Sequence, residues 1–134
     1  MNLRVIILFI LLLSGFCVSA QEYISLNGEW QFALAKTEQE AKRLEDFSSP
    51  GFSSQKFTKI PVPSNWAVLG YEEPVYRGFK ENKASEGFYL HKFETPEGWD
   101  GKRVLLHFGG VWSSAEVWLN GKFLGRHDSG YTSF

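Results

Sequence analysis

The adjacent carboxylates Glu72 and Glu73 are the first side chains whose type and spacing suggest chemistry. Two carboxyl groups can divide acid and base roles only when both face the same bond. Consecutive residues of an extended segment point in opposite directions, so we predict that this pair is solvated in a loop and does not flank one bond. Three histidines lie on separate predicted elements without ligand spacing, so we predict strand-face or surface positions for them rather than a metal site: His91, His107 and His127.

The two carboxylates belong to the longest stretch without clear periodicity, which runs from Ser64 to Glu86. Loops of this length in a compact domain are usually functional or disordered. Several aromatic residues argue against disorder: Trp66, Tyr71, Tyr76 and Phe79. We therefore predict an ordered, functional loop.

The clearest secondary structure follows that loop, between Arg103 and Tyr131. Apolar residues alternate with others over 104–108 and again over 115–119, which is the period of half-buried strands. Asn120-Gly121 is the strongest short-range hairpin signal, because both central residues of a type I′ turn need a positive φ. Residues 122–125 are the predicted return strand, so this region contributes three strands.

Earlier segments also read as short elements separated by turns. A strand is predicted up to Leu34, with Trp30 and Phe32 on the same core face. Residues 37–47 predict a short helix that Thr37 caps, with Glu40 as its capping-box partner. Residues 57–62 predict an edge strand, because prolines interrupt and follow it. Residues 87–95 have apolar residues on both faces, which predicts a central strand. Strands at this spacing indicate an all-β fold, an antiparallel β-sandwich.

Composition and the N-terminus limit the function classes. The formal net charge of −1 gives no basic footprint for phosphate backbones, so nucleic acid is excluded as a partner. Residues 1–20 have a positive start, an apolar core and a small-residue cleavage site at Ala20, which predict a secretory signal peptide rather than a stable membrane anchor. Cys17, the single cysteine, lies inside that signal, so a mature chain of residues 21–134 builds neither a disulfide nor a thiolate metal site. We expect an exported protein of a bacterial periplasm or the cell exterior, and we predict no cofactor.

Several separated blocks resemble one family. They are Asn27-Gly28-Glu29-Trp30-Gln31-Phe32, Val62-Pro63-Ser64-Asn65-Trp66, Gly70-Tyr71-Glu72-Glu73-Pro74-Val75-Tyr76, Phe108-Gly109-Gly110-Val111 and Ser114-Ala115-Glu116-Val117-Trp118-Leu119-Asn120-Gly121. In this order they are similar to the N-terminal sugar-binding domain of family 2 glycoside hydrolases, which include β-galactosidases and β-glucuronidases. The resemblance implies a jelly roll that is incomplete at its C-terminus, in a fragment of a longer enzyme. It also implies that two catalytic Glu come from a downstream (β/α)₈ barrel, so this chain contains no catalytic residue and should be inactive alone.

The resemblance also implies where sugar is bound. In similar galactosidases the loop at 64–79 reaches the barrel's active site, chiefly through an Asn two residues after the second Tyr. That position is Gly78 here, which puts galactose specificity in doubt, and the neighbouring Arg77 could instead reach a sugar hydroxyl or the carboxylate of an acidic sugar. The predicted substrate-binding residues are Tyr71, Glu73, Tyr76 and Arg77, whereas Asn65 and Trp66 are expected to fix the loop against the sandwich.

The expected partners are therefore a carbohydrate, a β-galactoside or related glycoside, and the downstream catalytic domain of the same protein. Three alternatives stay open. The chain could be a stand-alone carbohydrate-binding module, part of a glycosidase for another sugar such as a β-glucuronide, or a structural domain without sugar contact. Asp128 and Tyr131 lie past the hairpin, where contacts between domains are plausible.

Overall fold

A computed structural model describes residues 22–73 and 85–134 of the chain. Five strands and two short helical segments follow one another in this part of the chain. They are β1 (Gly28–Ala35), α1 (Glu38–Lys42), a 3₁₀ helix (Glu45–Ser48), β2 (Thr58–Val62), β3 (Glu86–Leu90), β4 (Ala115–Leu119) and β5 (Lys122–His127). All strand pairs are antiparallel, which confirms the predicted all-β class. The jelly-roll connectivity stays a prediction.

The first sheet has the order β2-β1-β3, so β1 is its central strand. Phe32 of β1 stands opposite Thr58 on one side and Tyr89 on the other. Phe32 is 1% exposed and Ile60 of β2 is fully buried, so part of the core lies on the face that these two residues share, while Ala35, also 1% exposed, is buried on the opposite face. Trp30 and Leu34, predicted to share this face, are only partly buried.

Two strand predictions need comment. Within the described residues β2 pairs with β1 alone, which agrees with the predicted edge position. β3 was predicted to be central and to reach Thr95, but it ends at Leu90 and pairs only with β1 in this part of the chain. Its two apolar faces have another cause, because Tyr89 packs on Phe32 and Phe88 packs on Phe47 from the helical excursion.

The helical excursion begins as predicted and ends earlier. The Thr37 hydroxyl accepts a hydrogen bond from the Glu40 amide at 3.2 Å, and the Glu40 carboxylate accepts one from the Lys36 amide at 2.7 Å. Bonds of the i→i+3 type then tighten the chain after Lys42, so a 3₁₀ helix replaces the predicted last turns. Phe47 of this segment meets Phe88 edge-on at 5.1 Å and Trp118 of β4 at 5.4 Å between ring centroids, which links the two sheets.

The second sheet is the predicted β4-β5 hairpin. Asn120 and Gly121 have φ values of 51° and 78°, the left-handed conformation that a type I′ turn requires. The register shifts by one residue after Val117, at a β-bulge.

The third predicted strand of this region, 104–108, does not form a ladder in the part of the chain that the structure describes. Its only backbone pairing there is at one end, where Phe108 and Phe134 exchange two hydrogen bonds of 2.8 and 3.1 Å. Their rings stack at 4.9 Å. Alternation of apolar and polar residues predicted this strand, but a strand also needs a neighbouring strand to pair with, and the alternation does not indicate one.

Candidate functional site

The start of the predicted functional loop is held in a tight turn by Asn65. Its side-chain oxygen accepts hydrogen bonds from the amides of Ala67 at 2.9 Å and Val68 at 3.4 Å. Its backbone carbonyl accepts a third from Leu69 at 3.1 Å. This satisfies three backbone donors that would otherwise need water, so Asn65 holds the turn itself. Its predicted role against the sandwich stays a prediction.

Trp66 fixes this turn to the first sheet. Its ring stacks on Phe32 with centroids 5.9 Å apart and 24° between the planes. The indole lies over Gly87 of β3, where an added Cβ would stand 2.5 Å from Cζ3 of Trp66. Only glycine leaves room for this close approach, so the loop packs on the sheet as the prediction for Trp66 required.

Glu72 joins the two ends of the loop. One oxygen of its carboxylate accepts a hydrogen bond from the Trp66 indole at 3.2 Å, and the other accepts one from the Ser85 hydroxyl at 2.5 Å. Glu72 and Ser85 flank residues 73–84, so this contact closes the base of that segment. Sequence reasoning missed this role, because Ser85 is distant along the chain and carries no pattern.

Glu73, the next residue, takes no part in the hydrogen bonds of Glu72 to Trp66 and Ser85. It is exposed, and it makes no ion pair within the described residues. The two carboxylates therefore have different surroundings. Glu72 supports the loop, and Glu73 is the first side chain beyond the closed base.

Tyr71, the second predicted substrate-binding residue in the described range, is directed at the sheet. Its hydroxyl donates to the Lys59 carbonyl at 3.0 Å and lies 3.2 Å from the Thr58 hydroxyl. Its ring meets Phe32 edge-on at 5.0 Å. Burial, and more weakly the neighbouring Tyr71, raises the pKa of the half-buried Tyr89 phenol. Tyr89 therefore stays neutral at physiological pH and cannot serve as a base there.

The other two predicted substrate-binding residues, Tyr76 and Arg77, lie outside the described residues, as does Gly78. The structure therefore brings Tyr71 and Glu73 to the loop base and leaves the remaining roles as predictions.

A second exposed region lies where the chain leaves the hairpin. The guanidinium of Arg126 binds Asp128 at 2.9 Å and Glu116 at 3.1 Å. These carboxylates, Asp128 more strongly, raise the pKa of Arg126 above its ordinary value. In the same C-terminal region, the rings of Trp112 and Tyr131 meet edge-on, with their centroids 5.3 Å apart. Sequence reasoning did not single out Trp112, which lies two residues after the Gly109-Gly110 pair.

Within residues 22–73 and 85–134, no group of three or more His, Cys, Asp or Glu could hold a metal ion. His91 stacks on Trp30 at 4.7 Å, and His127 stacks on Phe134 at 4.3 Å. Within the same ranges, no helix is long and apolar enough to cross a membrane.

The two antiparallel sheets, which Phe47 links, define an all-β sandwich. Residues 23–134 match the family described as glycosyl hydrolases family 2, sugar binding domain, and the chain belongs to this family.

Similar curated proteins are β-galactosidases. The chain is 34% identical to the β-galactosidase of Priestia megaterium over 85% of its own length and 12% of that protein. It is 32% identical to the β-galactosidase large subunit of Leuconostoc lactis over 81% of its length and 21% of that subunit. It is 31% identical to a β-galactosidase of Bacteroides ovatus over 90% of its length and 14% of that protein. The chain thus spans between about an eighth and a fifth of these relatives.

Proposed function

We propose that this chain is the N-terminal sugar-binding part of an exported β-galactosidase-like glycoside hydrolase. It packs on the catalytic barrel of the same protein, and its 73–84 loop contributes side chains to the sugar subsite. Membership of the family and the names of the relatives support the hydrolase class. The barrel supplies the catalytic carboxylates, so the domain's own role is binding and orientation.

The observation that carries the subsite proposal is the closed base of the loop. Glu72 bonds Trp66 on one side and Ser85 on the other, so residues 73–84 start and finish at one fixed place on the sheet. Side chains on a loop with a fixed base lose less conformational freedom when they bind a ligand. Glu73 lies directly beyond that base and is exposed. The proposed subsite residues are Glu73, Tyr76 and Arg77, with Tyr71 supporting them from the sheet.

Arg77 suggests which sugars the intact protein accepts. A guanidinium recognises a carboxylate through two parallel hydrogen bonds, which an uncharged hydroxymethyl group cannot offer. With Gly78 where similar galactosidases have an amide, we propose that an acidic sugar such as a β-glucuronide is accepted at least as well as a β-galactoside.

The test is hydrolysis of aryl β-galactoside, β-glucoside and β-glucuronide by the intact protein and its Arg77→Ala variant. We expect kcat/KM for the glucuronide to fall by about tenfold or more, as loss of a charge-assisted contact implies, with a smaller change for the galactoside. Arg43→Ala is the matched control, because Arg43 is exposed and has no ion pair among the described residues. Equal losses on all three substrates would argue against recognition of the acidic group.

Export is tested separately, by mass spectrometry of the N-terminal peptide of the protein recovered outside the cytoplasm. Cleavage after Ala20 gives Gln21 as the first residue. An intact Met1 on the recovered protein would contradict a cleaved signal.

A further inference from the structure

The chain contains two Asn-Gly pairs, Asn27-Gly28 and Asn120-Gly121, and both asparagines are exposed. Asparagine followed by glycine is chemically reactive, because glycine has no side chain to hinder attack by its backbone nitrogen on the asparagine carboxamide. The two pairs share this local chemistry but differ in the backbone structure around them. Any difference between their reaction rates in the folded protein is therefore caused by the fold.

The reaction needs no enzyme and no cofactor. The backbone nitrogen of the glycine forms a bond to Cγ of the asparagine, the bond from Cγ to the side-chain nitrogen breaks, and ammonia leaves with the backbone amide proton. Water then opens the resulting cyclic imide at either carbonyl, and nothing is oxidised or reduced. Opening at the Cγ carbonyl gives aspartate. Opening at the backbone carbonyl gives isoaspartate, in which Cβ and Cγ become part of the main chain.

The hairpin turn holds Asn120 in a conformation that blocks the attack. Its φ of 51° lies in the left-handed region, where ψ is restricted to about +30 to +60°. At such values the Gly121 nitrogen lies on the opposite side of the Cα–C bond from Cβ of Asn120, so the carboxamide carbon cannot reach it. Leu119 pairs with Lys122 to close the turn, and a Cβ added to Gly121 would stand 3.4 Å from Cδ of Pro50. The hairpin must therefore open before Asn120 can react.

Asn27 has a looser environment. It precedes β1, and among the described residues only Asn120 combines a side chain with a positive φ, so no left-handed turn blocks Asn27. Gly28 pairs with Val62 on one side only, since the ladder to β3 begins at Gln31. An added Cβ on Gly28 would meet no atom within 4 Å. Because strand ends fray more readily than closed turns open, Asn27 reaches the reactive conformation more often.

We propose that Asn27 is a site of spontaneous deamidation in the folded protein, whereas the hairpin protects Asn120. The product alters the start of β1. The Trp30 indole donates a hydrogen bond to the Leu26 carbonyl at 2.8 Å, and an isoaspartate at 27 lengthens the main chain between these two partners. Either product also adds a negative charge. The reaction depends on neither sugar binding nor hydrolysis, so it is independent of the proposed function.

The test is incubation of the intact protein in mildly alkaline buffer, folded and unfolded in urea, followed by peptide mass spectrometry and an isoaspartate assay. In urea the two sites should deamidate at similar rates. In the folded protein Asn120 should react at least about tenfold more slowly than Asn27, since its turn opens less often. Equal rates at the two sites of the folded protein, faster reaction at Asn120, or reaction in the unfolded chain alone would overturn the inference.

Matched variants test the consequence for the fold. Glutamine keeps the amide but must close a larger ring, so Asn27→Gln and Asn120→Gln each remove one reactive site. Incubation should lower the Tm of the wild type and of Asn120→Gln by at least about 4 °C from their fresh samples, the shift that loss of one hydrogen bond gives in a domain near this size. Asn27→Gln should keep its fresh Tm. An equal fall in Asn27→Gln, or deamidation at Asn27 with an unchanged Tm, would contradict damage at the start of β1.

Discussion

Replacing Gly87 with alanine should test how the functional loop is attached to the sheet. An added Cβ would stand 2.5 Å from Cζ3 of Trp66 and 3.1 Å from Cε2 of Phe32. Phe32 is 1% exposed and cannot move aside without disturbing the core. The indole must therefore leave its place on Phe32, and the loop moves with it.

The magnitude follows from overpacking, which costs about 1 to 3 kcal/mol in a well-packed core. Gly125→Ala is the matched control, because Gly125 also lies in a strand and an added Cβ there has no atom within 4 Å. Both variants reduce the freedom of the unfolded chain equally, so their difference isolates the clash. At about 4 to 8 °C per kcal/mol for a domain near this size, Gly87→Ala should lower the Tm by at least about 4 °C relative to Gly125→Ala.

Urea unfolding gives the free energies, and nitrogen-15 labelling of tryptophan shows where the change occurs. The chain has five tryptophans, so five indole N–H signals are expected. The signal of Trp66 should shift in Gly87→Ala, because its hydrogen bond to Glu72 is displaced. Equal free energies of unfolding for the two variants, with the Trp66 signal unmoved, would refute the packing argument.

Two further perturbations probe other parts of the domain. Thr37→Ala removes the cap of α1 and should lower the free energy of unfolding by about 1 kcal/mol, whereas Thr37→Ser should retain most of it; equal stability of both variants would contradict a capping role. The Trp99 indole, and with it Lys102, lowers the pKa of the Glu22 carboxyl in the folded chain. The contribution of the Glu22 carboxylate to the free energy of unfolding is therefore present above the pKa that this group has in the unfolded chain. It is lost as the pH falls through the lower pKa of the folded chain. Glu22→Gln should thus be less stable than wild type in urea unfolding at pH 7 and should match it in strong acid, while a constant difference across pH would contradict this.

Local signals in the sequence predicted the fold best. Asn120-Gly121 and Thr37 act on residues within a few positions, so the hairpin and the start of α1 follow from the chemistry of the chain alone. The strand predicted at 104–108 needed a distant partner, which periodicity cannot supply. β3 looked central because its two faces contact different neighbours, and alternation does not distinguish a neighbouring strand from a neighbouring loop.

Local signals in the sequence also predicted the candidate site in outline. Loop length and aromatic content identified the 64–86 region, and the hydrogen bonds of Glu72 to Trp66 and Ser85 agree with the prediction that Glu72 and Glu73 do not flank one bond. The contact between Glu72 and Ser85 joins residues 13 apart, and no pattern in the sequence indicates it.

The most direct measurement of the central claim is kcat/KM of the intact protein and its Glu73→Gln variant on the preferred aryl glycoside. A carboxylate that accepts a hydrogen bond from the sugar contributes about 1.5 to 3 kcal/mol, so kcat/KM should fall by about tenfold or more with the Tm unchanged. Glu97→Gln is the control, since Glu97 is likewise exposed in a loop. If Glu73→Gln and Glu97→Gln both retain the wild-type kcat/KM, Glu73 does not belong to the sugar subsite and the proposed role of the loop is contradicted.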